Sequence, residues 1–325
     1  SNVGKVRFYG VDLAISSVNI SRGDFTWTTD FTYNFNMNKV LKLPDNGNVR
    51  NRMDGITIGD GSQFGGIAEG ERMGRIYGYK VDHIIETQAD ADAAMYDASS
   101  RGYRRSDRRQ IAGRKDIGDY EWVNRAGSTQ RDGRDIINEE DQFLLGYATP
   151  HSTGGIGNTF RYRNWSLNIY MDYALGHSIQ NEMQMRYFMA TMGNCNYNLV
   201  NEVKKCWSQP GDDTRYARFT ANDTDWGNRN YGRTSDIFVE KADYLCLRDV
   251  SLSWSLPKAW LRKLHISDVT LTVSGNTLCY WTAVHGVSPE AATTGGLYTA
   301  SSTYDTGFSP YPPTRKVLFT AKLTF

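Results

Sequence analysis

Strict alternation of apolar and polar side chains over two long stretches is the feature that most constrains this chain. From Phe25 to Met37 the odd-numbered positions are aromatic or otherwise apolar apart from one threonine, and the even-numbered positions are polar. The same alternation returns from Trp165 to Leu175. A repeat of two residues excludes a helix, and a tilted transmembrane strand needs about 9–11 residues. The pattern therefore predicts membrane strands with one lipid-facing side and one water-facing side.

Composition narrows the class of protein further. Aromatic residues make up 13% of the chain and there are 31 glycines, although 22% of residues are charged, a combination typical of barrels with polar loops. No apolar run reaches the ~18 residues that a membrane helix needs. The 37 basic and 36 acidic residues nearly cancel, so we expect no nucleic-acid partner. A soluble antiparallel sandwich is the alternative, but such sandwiches rarely expose so many aromatic residues on one face.

Seven antiparallel membrane strands are predicted, near residues 7–19, 25–39, 153–162, 164–176, 242–256, 268–281 and 313–325. Short and very long connections alternate, with short ones at Ile20–Asp24, Arg163 and Pro257–Ser267. We place the long loops outside the cell and the C-terminus in the periplasm. The segment Arg75–Ile85 is an eighth candidate strand, but its direction would conflict with the short turns, so we expect it in an extracellular loop.

Seven or eight strands leave too small a lumen for loops of this size, and a barrel with an odd number of strands does not close. We therefore expect the chain to be a fragment of a larger transmembrane β-barrel. The N-terminus shows no signal pattern, so we expect further sequence upstream.

Alternation also predicts which side chains face water. In the last strand it places Phe319 towards lipid and both lysines towards the lumen. A lysine on the lipid side at mid-depth costs about 2–4 kcal/mol, which favours this assignment. The predicted lumen-lining residues are Asp30, Asn34, Asn168, Tyr170, Asp172, Lys316 and Lys322.

Several short motifs, taken in order, carry a family resemblance over most of the chain. They are SNVGKVRFYGVDLAIS, GERMGRIYGYKVDHI, DIFVEKADYLCLRDVSLSWSLPKAWLRKL, SGNTLCYWTAVHGVSPE and YPPTRKVLFTAKLTF. Their order and spacing resemble the SusC/RagA-like branch of TonB-dependent outer-membrane transporters. The resemblance covers the C-terminal part of such a transporter. It implies that residues 1–325 are the C-terminal part of a barrel of roughly 22 strands, which is preceded by a plug domain and a TonB-contacting segment.

The resemblance also implies a function. Members of this family import oligosaccharides or peptides under a SusD-like surface lipoprotein that acts as a lid, with energy supplied through TonB. A passive porin is the alternative importer. An enzyme or adhesin on a barrel is a second alternative, but the five scattered histidines give no support for zinc or triad chemistry. We therefore expect no catalytic residues.

Loop residues provide candidates for contacts with the lid or the solute. The arginines of a basic run suit an acidic lid protein, an anionic solute or lipopolysaccharide phosphates, and loop aromatics suit sugar rings or peptides. A solvated or internally packed loop is the alternative for both groups. The candidates are Arg104, Arg105, Arg108, Arg109, Trp207, Trp226, Tyr298 and Tyr304.

Two further expectations concern metal and redox chemistry. The run that contains Asp132, Asp135, Asn138 and Asp141 keeps only part of a calcium-loop-like series of the family, and calcium takes six to eight oxygens. It is thus a weak calcium candidate, and we expect no other cofactor. Cys195 and Cys206 share one polar segment and either pair or remain free thiols.

Overall fold

A seven-stranded antiparallel sheet is the main element of the computed structural model. The structure describes residues 4–57, 63–103, 110–113, 115–125, 127, 135–181, 201–219, 230–231, 233–262, 266–290 and 314–324. Each strand of the sheet pairs with its neighbours along the chain, so the prediction of seven sequential strands is confirmed. The strands are β1 (Lys5–Arg22), β2 (Phe25–Lys42), β3 (Ser152–Tyr162), β4 (Trp165–Leu175), β5 (Tyr244–Ser255), β6 (Asp268–Thr282) and β7 (Lys316–Thr324).

The short connections are tighter than the sequence indicated. The predicted turn Ile20–Asp24 reduces to two residues, because Gly23 adopts a φ of +57° that glycine reaches without steric cost. Arg163 begins the β3–β4 turn, and its Nε donates to Asp24 Oδ2 at 2.9 Å, which links two neighbouring turns. The third short connection contains the helix Lys258–Leu261.

The two sides of the sheet differ in the way that alternation predicts. Directly opposed residues share a side, and on the apolar side Trp27 stacks on Phe160 with ring centroids 5.6 Å apart. Phe319 on the same side is 80% exposed, so this face is not covered by another layer of the described chain. A soluble sandwich would bury that face, so its exposure favours membrane strands over the soluble alternative. Among the described residues, no helix is long and apolar enough to cross a membrane.

The long connections fold into a packed unit of their own, which we call the loop unit (described residues 43–151 and 176–243). Its buried core contains Tyr120, Trp122, Tyr231 and Phe238, and it is larger than any cluster within the sheet. Its strands are Ile56–Thr57, Gln63–Phe64, Arg75–Gly78, Val81–Ile84, Tyr96–Tyr103, Gln110–Gly113, Tyr120–Trp122, Ile136–Ile137, Phe143–Tyr147, Ser178–Gln180 and Val239–Lys241, and its helical segments are Val49–Asn51, Gln88–Ala93, Glu139–Asp141 and Asn201–Lys205.

The segment Arg75–Ile85 belongs to this unit and lies outside the main sheet, as expected. It forms two short strands, which pair with Phe143–Tyr147 and Tyr120–Trp122.

A buried ion pair stabilises the loop unit. Asp119 is fully buried, and Arg218 donates to both of its carboxylate oxygens at 2.8 and 3.0 Å. Asn230 Nδ2 donates to the same carboxylate at 2.9 Å, and the Asn230 side-chain oxygen accepts from the Tyr120 backbone N–H. This network ties three distant parts of the loops together.

Lysine scanning of one strand tests the assignment of the two sides. We expect Val273→Lys to destabilise the folded barrel by about 2–4 kcal/mol, because the ammonium group would enter hydrocarbon. Ser274→Lys on the opposite side of the same strand should cost far less. Recovery of folded protein from outer membranes measures both effects, and equal loss for the two variants would contradict the assignment.

Removal of the buried ion pair should loosen the loop unit and leave the sheet intact. We expect Arg218→Leu to cost about 3 kcal/mol, since Asp119 would stay buried without its main partner. Hydrogen exchange should accelerate around Tyr120 but not in β3 to β5. Asp116→Asn is the control, because Asp116 is exposed where it meets Arg218 at 3.2 Å.

Candidate functional site

The polar side of the sheet brings most of the predicted lumen-lining residues together. Strand register places Asp30, Tyr170 and Lys316 in one transverse row. Ser16, Gly157, Asp249 and Asn276 complete this row across all seven strands. The row carries carboxylate, amide, phenol and ammonium groups on one wall. That this wall lines an aqueous lumen stays a prediction.

The other predicted residues lie on the same side in neighbouring rows. Asn34 donates to Asp12 on β1, and Asp172 lies one row closer to the loop unit than Tyr170. Lys322 lies opposite Thr270, near the short-turn end. The set is therefore spread over the height of the wall.

Hydrogen bonds between adjacent strands fix the polar side chains of the wall. Asn168 accepts from Thr159 at 2.8 Å and donates to Ser251 at 3.3 Å. Asn276 donates to Asp249 at 2.6 Å in the central row. Such pairing orders these groups, so that a solute would meet a fixed pattern of donors and acceptors.

Two glycines of β3 position the ring of Tyr170. A Cβ on Gly155 would lie 2.6 Å from the Tyr170 hydroxyl oxygen, and a Cβ on Gly157 would lie 3.6 Å from its Cδ2. The ring therefore lies across the β3 backbone, where glycine permits a close approach. Tyr170 remains 41% exposed, so part of its surface is available to a solute.

Near the loop unit, several polar side chains of the wall are joined by an arginine that was not predicted as a site residue. Arg248 Nε and Nη2 each donate to a carboxylate oxygen of Asp172 at 2.7 Å. The same guanidinium donates to Glu290, which follows β6, and Tyr280 OH also donates to Glu290 at 2.9 Å. Tyr244 packs edge-to-face on Tyr280. We call Asp172, Tyr244, Arg248, Tyr280 and Glu290 the arginine cluster.

A β-bulge explains why alternation did not identify Arg248. The adjacent residues Tyr170 and Met171 of β4 pair with Asp249 and Leu247, so Arg248 between those two is an extra residue relative to β4. The apolar positions of β5 accordingly change from odd numbers, such as Leu245, to even numbers, such as Leu252. Two adjacent charged residues lie where the apolar positions change from odd to even numbers. This pair is the signal that could have located the bulge.

The loop candidates are only partly described by the structure. Trp207 is half-buried, and its ring contacts Gly118 so closely that a Cβ there would lie 2.5 Å from Cε3. Packing within the loop unit accounts for this tryptophan, and its contact with a solute stays a prediction. The remaining loop candidates lie outside the described residues: Arg104, Arg105, Arg108, Arg109, Trp226, Tyr298 and Tyr304.

The described part of the calcium candidate caps a short helical turn. Asn138 Oδ1 accepts from the Glu140 backbone N–H at 2.7 Å, and Asp141 accepts from the backbone N–H groups of Asn138 and Arg125. Within the described segments, no three ligating side chains converge on a possible metal site. Asp135 is exposed and Asp132 lies outside the described residues, so calcium binding stays a prediction without support from these contacts.

The structure describes only one of the two cysteines that were considered as a possible pair. Cys206 has a free thiol whose sulfur lies 3.5 Å from Tyr231 OH, while Cys195 lies outside the described residues. Burial raises the pKa of the Cys206 thiol, and the hydrogen bond to Tyr231 lowers it by a smaller amount. The pKa therefore lies above its usual value. This thiol is therefore protonated near neutral pH, and the protonated form is the weaker nucleophile.

A single methyl group on either glycine tests the placement of Tyr170. Gly155→Ala should displace the phenol at a cost of about 1 kcal/mol, because the added Cβ and the hydroxyl cannot share the space. Gly157→Ala should leave the ring in place, since its Cβ makes ordinary van der Waals contact. Nitration of Tyr170, mapped by mass spectrometry, should rise only in the first variant. Equal nitration would place the ring elsewhere.

Comparisons with known proteins agree with this geometry. No protein-family model matches the chain. It is 26% identical over 291 residues to TonB-dependent receptor P3 of Formosa agariphila, covering 89% of this chain and 26% of that receptor. It is 27% identical over 315 residues to TonB-dependent receptor P39 of the same organism, covering 91% of this chain and 28% of that receptor.

Solved structures show the same fold. A structure of the RagAB peptide transporter matches with a TM-score of 0.65 at 18% identity, covering 100% of this chain and 30% of that one. The chain thus spans between a quarter and a third of the length of the proteins that it matches. The sheet is the wall of a transmembrane β-barrel, and the chain is similar in sequence and fold to the SusC/RagA-like TonB-dependent receptors, as its motifs predicted.

Proposed function

We propose that this chain forms part of an active importer that takes up oligosaccharides or peptides across the bacterial outer membrane, coupled to TonB and assisted by a SusD-like surface lipoprotein. One observation carries the proposal: a seven-stranded sheet with a lipid-compatible side and a hydrogen-bonded polar side, in a chain similar to TonB-dependent receptors over 89% of its length. Such a wall guides a polar solute through an apolar layer without covalent chemistry. The similar proteins are receptors and transporters by name, which points away from an enzyme.

The domain arrangement is part of the proposal. Residues 1–325 would supply C-terminal strands of the barrel, and the plug domain and TonB-contacting segment would belong to another part of the same protein. The loop unit would lie outside the cell and the short turns in the periplasm. The packed core of that unit supports a structured mouth, because Tyr120, Trp122 and Phe238 fix the loops to one another.

Solute recognition is proposed to occur at two levels. The transverse row with Asp30, Tyr170 and Lys316 would offer charged and polar groups inside the barrel, at positions that the strand register brings into line. The loop arginines and aromatics would meet the lid or the incoming solute. The RagAB structures are named as a peptide transporter, and a peptide is accordingly one of the two solute classes proposed here.

Energy coupling separates the proposed importer from a passive porin. Cells that express the full-length protein should take up fluorescent oligopeptides or oligosaccharides only when TonB is functional. Vesicles reconstituted with the purified protein should remain impermeable to the same solutes, because a plugged barrel does not conduct by diffusion. Solute equilibration across those vesicles, or uptake that survives loss of TonB, would establish the porin alternative.

Loss of the lipoprotein lid provides the second arm of this test. Uptake should fall when the neighbouring lipoprotein is deleted, and the two proteins should copurify after detergent extraction. Serine substitution of Arg104, Arg105, Arg108 and Arg109 should weaken that copurification if the basic run contacts the lid. Unchanged recovery of the complex would remove this run from the interface.

A further inference from the structure

The arginine cluster contains two carboxylates that differ in how they are held. Asp172 lies on β4 within the sheet, and both of its oxygens accept from Arg248 at 2.7 Å. Glu290 lies on the segment that follows β6 and turns back over the polar side of the sheet. One carboxylate is therefore part of the wall, whereas the other reaches the wall from a connection.

Contacts along the segment 283–290 bring Glu290 to this position. Val284 packs against Ile179 and Ala242, and Asn181 Nδ2 donates to the His285 carbonyl at 2.8 Å. Glu240 accepts from the His285 backbone N–H at 3.0 Å. The segment is thus anchored to the base of the loop unit, and only its last side chain enters the cluster.

Arg248 divides its donors between these two carboxylates. Nε and one Nη2 hydrogen serve Asp172, while Nη1 donates to a Glu290 oxygen at 3.3 Å and Nη2 donates to the other. A guanidinium holds carboxylates well because its planar fork matches two oxygens at once. The side of Arg248 that faces Glu290 is therefore shaped for a carboxylate.

Tyrosine hydroxyls complete the set of contacts around Glu290. Tyr280 OH donates to Glu290 at 2.9 Å and accepts from Arg248 Nη1 at 3.3 Å. Partial burial raises the pKa of the Glu290 carboxyl. Hydrogen bonds from Arg248, Tyr280 and Tyr244 lower this pKa by a larger amount, so it lies below its usual value. Glu290 is therefore ionised at neutral pH, with Arg248 and Tyr280 as its donors, while the Tyr244 hydroxyl donates to Asp172 at 3.5 Å.

We propose that Arg248, Tyr244 and Tyr280 form a carboxylate-binding subsite on the solute path, and that Glu290 occupies this subsite until a solute carboxylate displaces it. The subsite lies one row from Tyr170 on the polar side, and the side chains of Arg248 and Glu290 are 28% and 31% exposed. This inference rests on the proposed function and specifies its solutes as acidic ones. The carboxylate belongs either to a peptide or to a uronic acid of a glycan.

Displacement is required because a third carboxylate cannot simply be added. With Glu290 in place, one guanidinium already pairs with two carboxylates and leaves a net negative charge, so a third carboxylate would meet repulsion. Exchange of one carboxylate for another keeps the charge and the hydrogen bonds of the subsite unchanged. Glu290 thus competes with the solute and sets a threshold for its binding.

Binding to the purified full-length protein tests the subsite without any transport step. The acidic probes are acetyl-triglutamate and trigalacturonate, and the neutral counterparts are acetyl-triglutamine amide and trigalactose. Glu290→Gln should strengthen binding of at least one acidic probe by roughly tenfold, because it removes a competing charged group. Binding of the neutral probes should not change. Selectivity for one acidic probe identifies the source of the carboxylate, and either result supports the subsite.

Substitution of the arginine supplies the opposite arm of the test. Arg248→Lys keeps a positive charge beside Asp172 but loses the planar fork, and it should weaken acidic-probe binding by roughly tenfold or more. Arg163→Met is the control, since it removes a charge at an exposed turn far from the cluster.

Two different failures can be told apart. Acidic-probe affinities that are the same in the native protein, Glu290→Gln and Arg248→Lys would overturn the subsite, even if TonB-dependent uptake is intact. Uptake that proves independent of TonB would overturn the proposed function and leave the binding result standing.

Discussion

Hydrogen bonding of the backbone in a medium without water is the constraint on which the rest of this structure depends. A strand that crosses hydrocarbon must satisfy its N–H and C=O groups within the sheet, and long antiparallel neighbours achieve this. The consequence is a wall with two unlike sides, in which β2 carries Trp27 and Phe31 on one and Asp30 and Asn34 on the other. Charged side chains such as Asp30, Asp172 and Lys316 thereby share one side of the sheet.

The loops meet a different constraint, because water surrounds them and they must generate their own order. They do so with an aromatic core around Trp122 and Phe238, and with the buried pair of Asp119 and Arg218. The chain thus combines a wall stabilised by its membrane surroundings with loops that are stabilised internally, and the arginine cluster lies where the two meet.

Most of the sheet could be predicted from the sequence, whereas most of the cluster could not. Alternation in β2 and β4 is a local property with a fixed period, so that strand positions and the shared side of Asp30, Asn168 and Lys316 follow directly. Arg248 was missed because a bulge interrupts that period. Contacts such as Glu290 with Arg248, or Tyr120 with Tyr231, join distant residues through irregular segments that carry no periodic signal.

The bulge at Arg248 also affects how this wall tolerates the gain or loss of a residue within a strand. Elsewhere in β5, gain or loss of one residue would exchange the two faces of the strand beyond that point, so that its leucines would face the lumen. At the bulge Arg248 is already an extra residue relative to β4, and the leucines on both sides of it stay on the apolar side. An outer-membrane wall can therefore acquire a charged side chain by insertion there, without exchanging any residue that touches lipid.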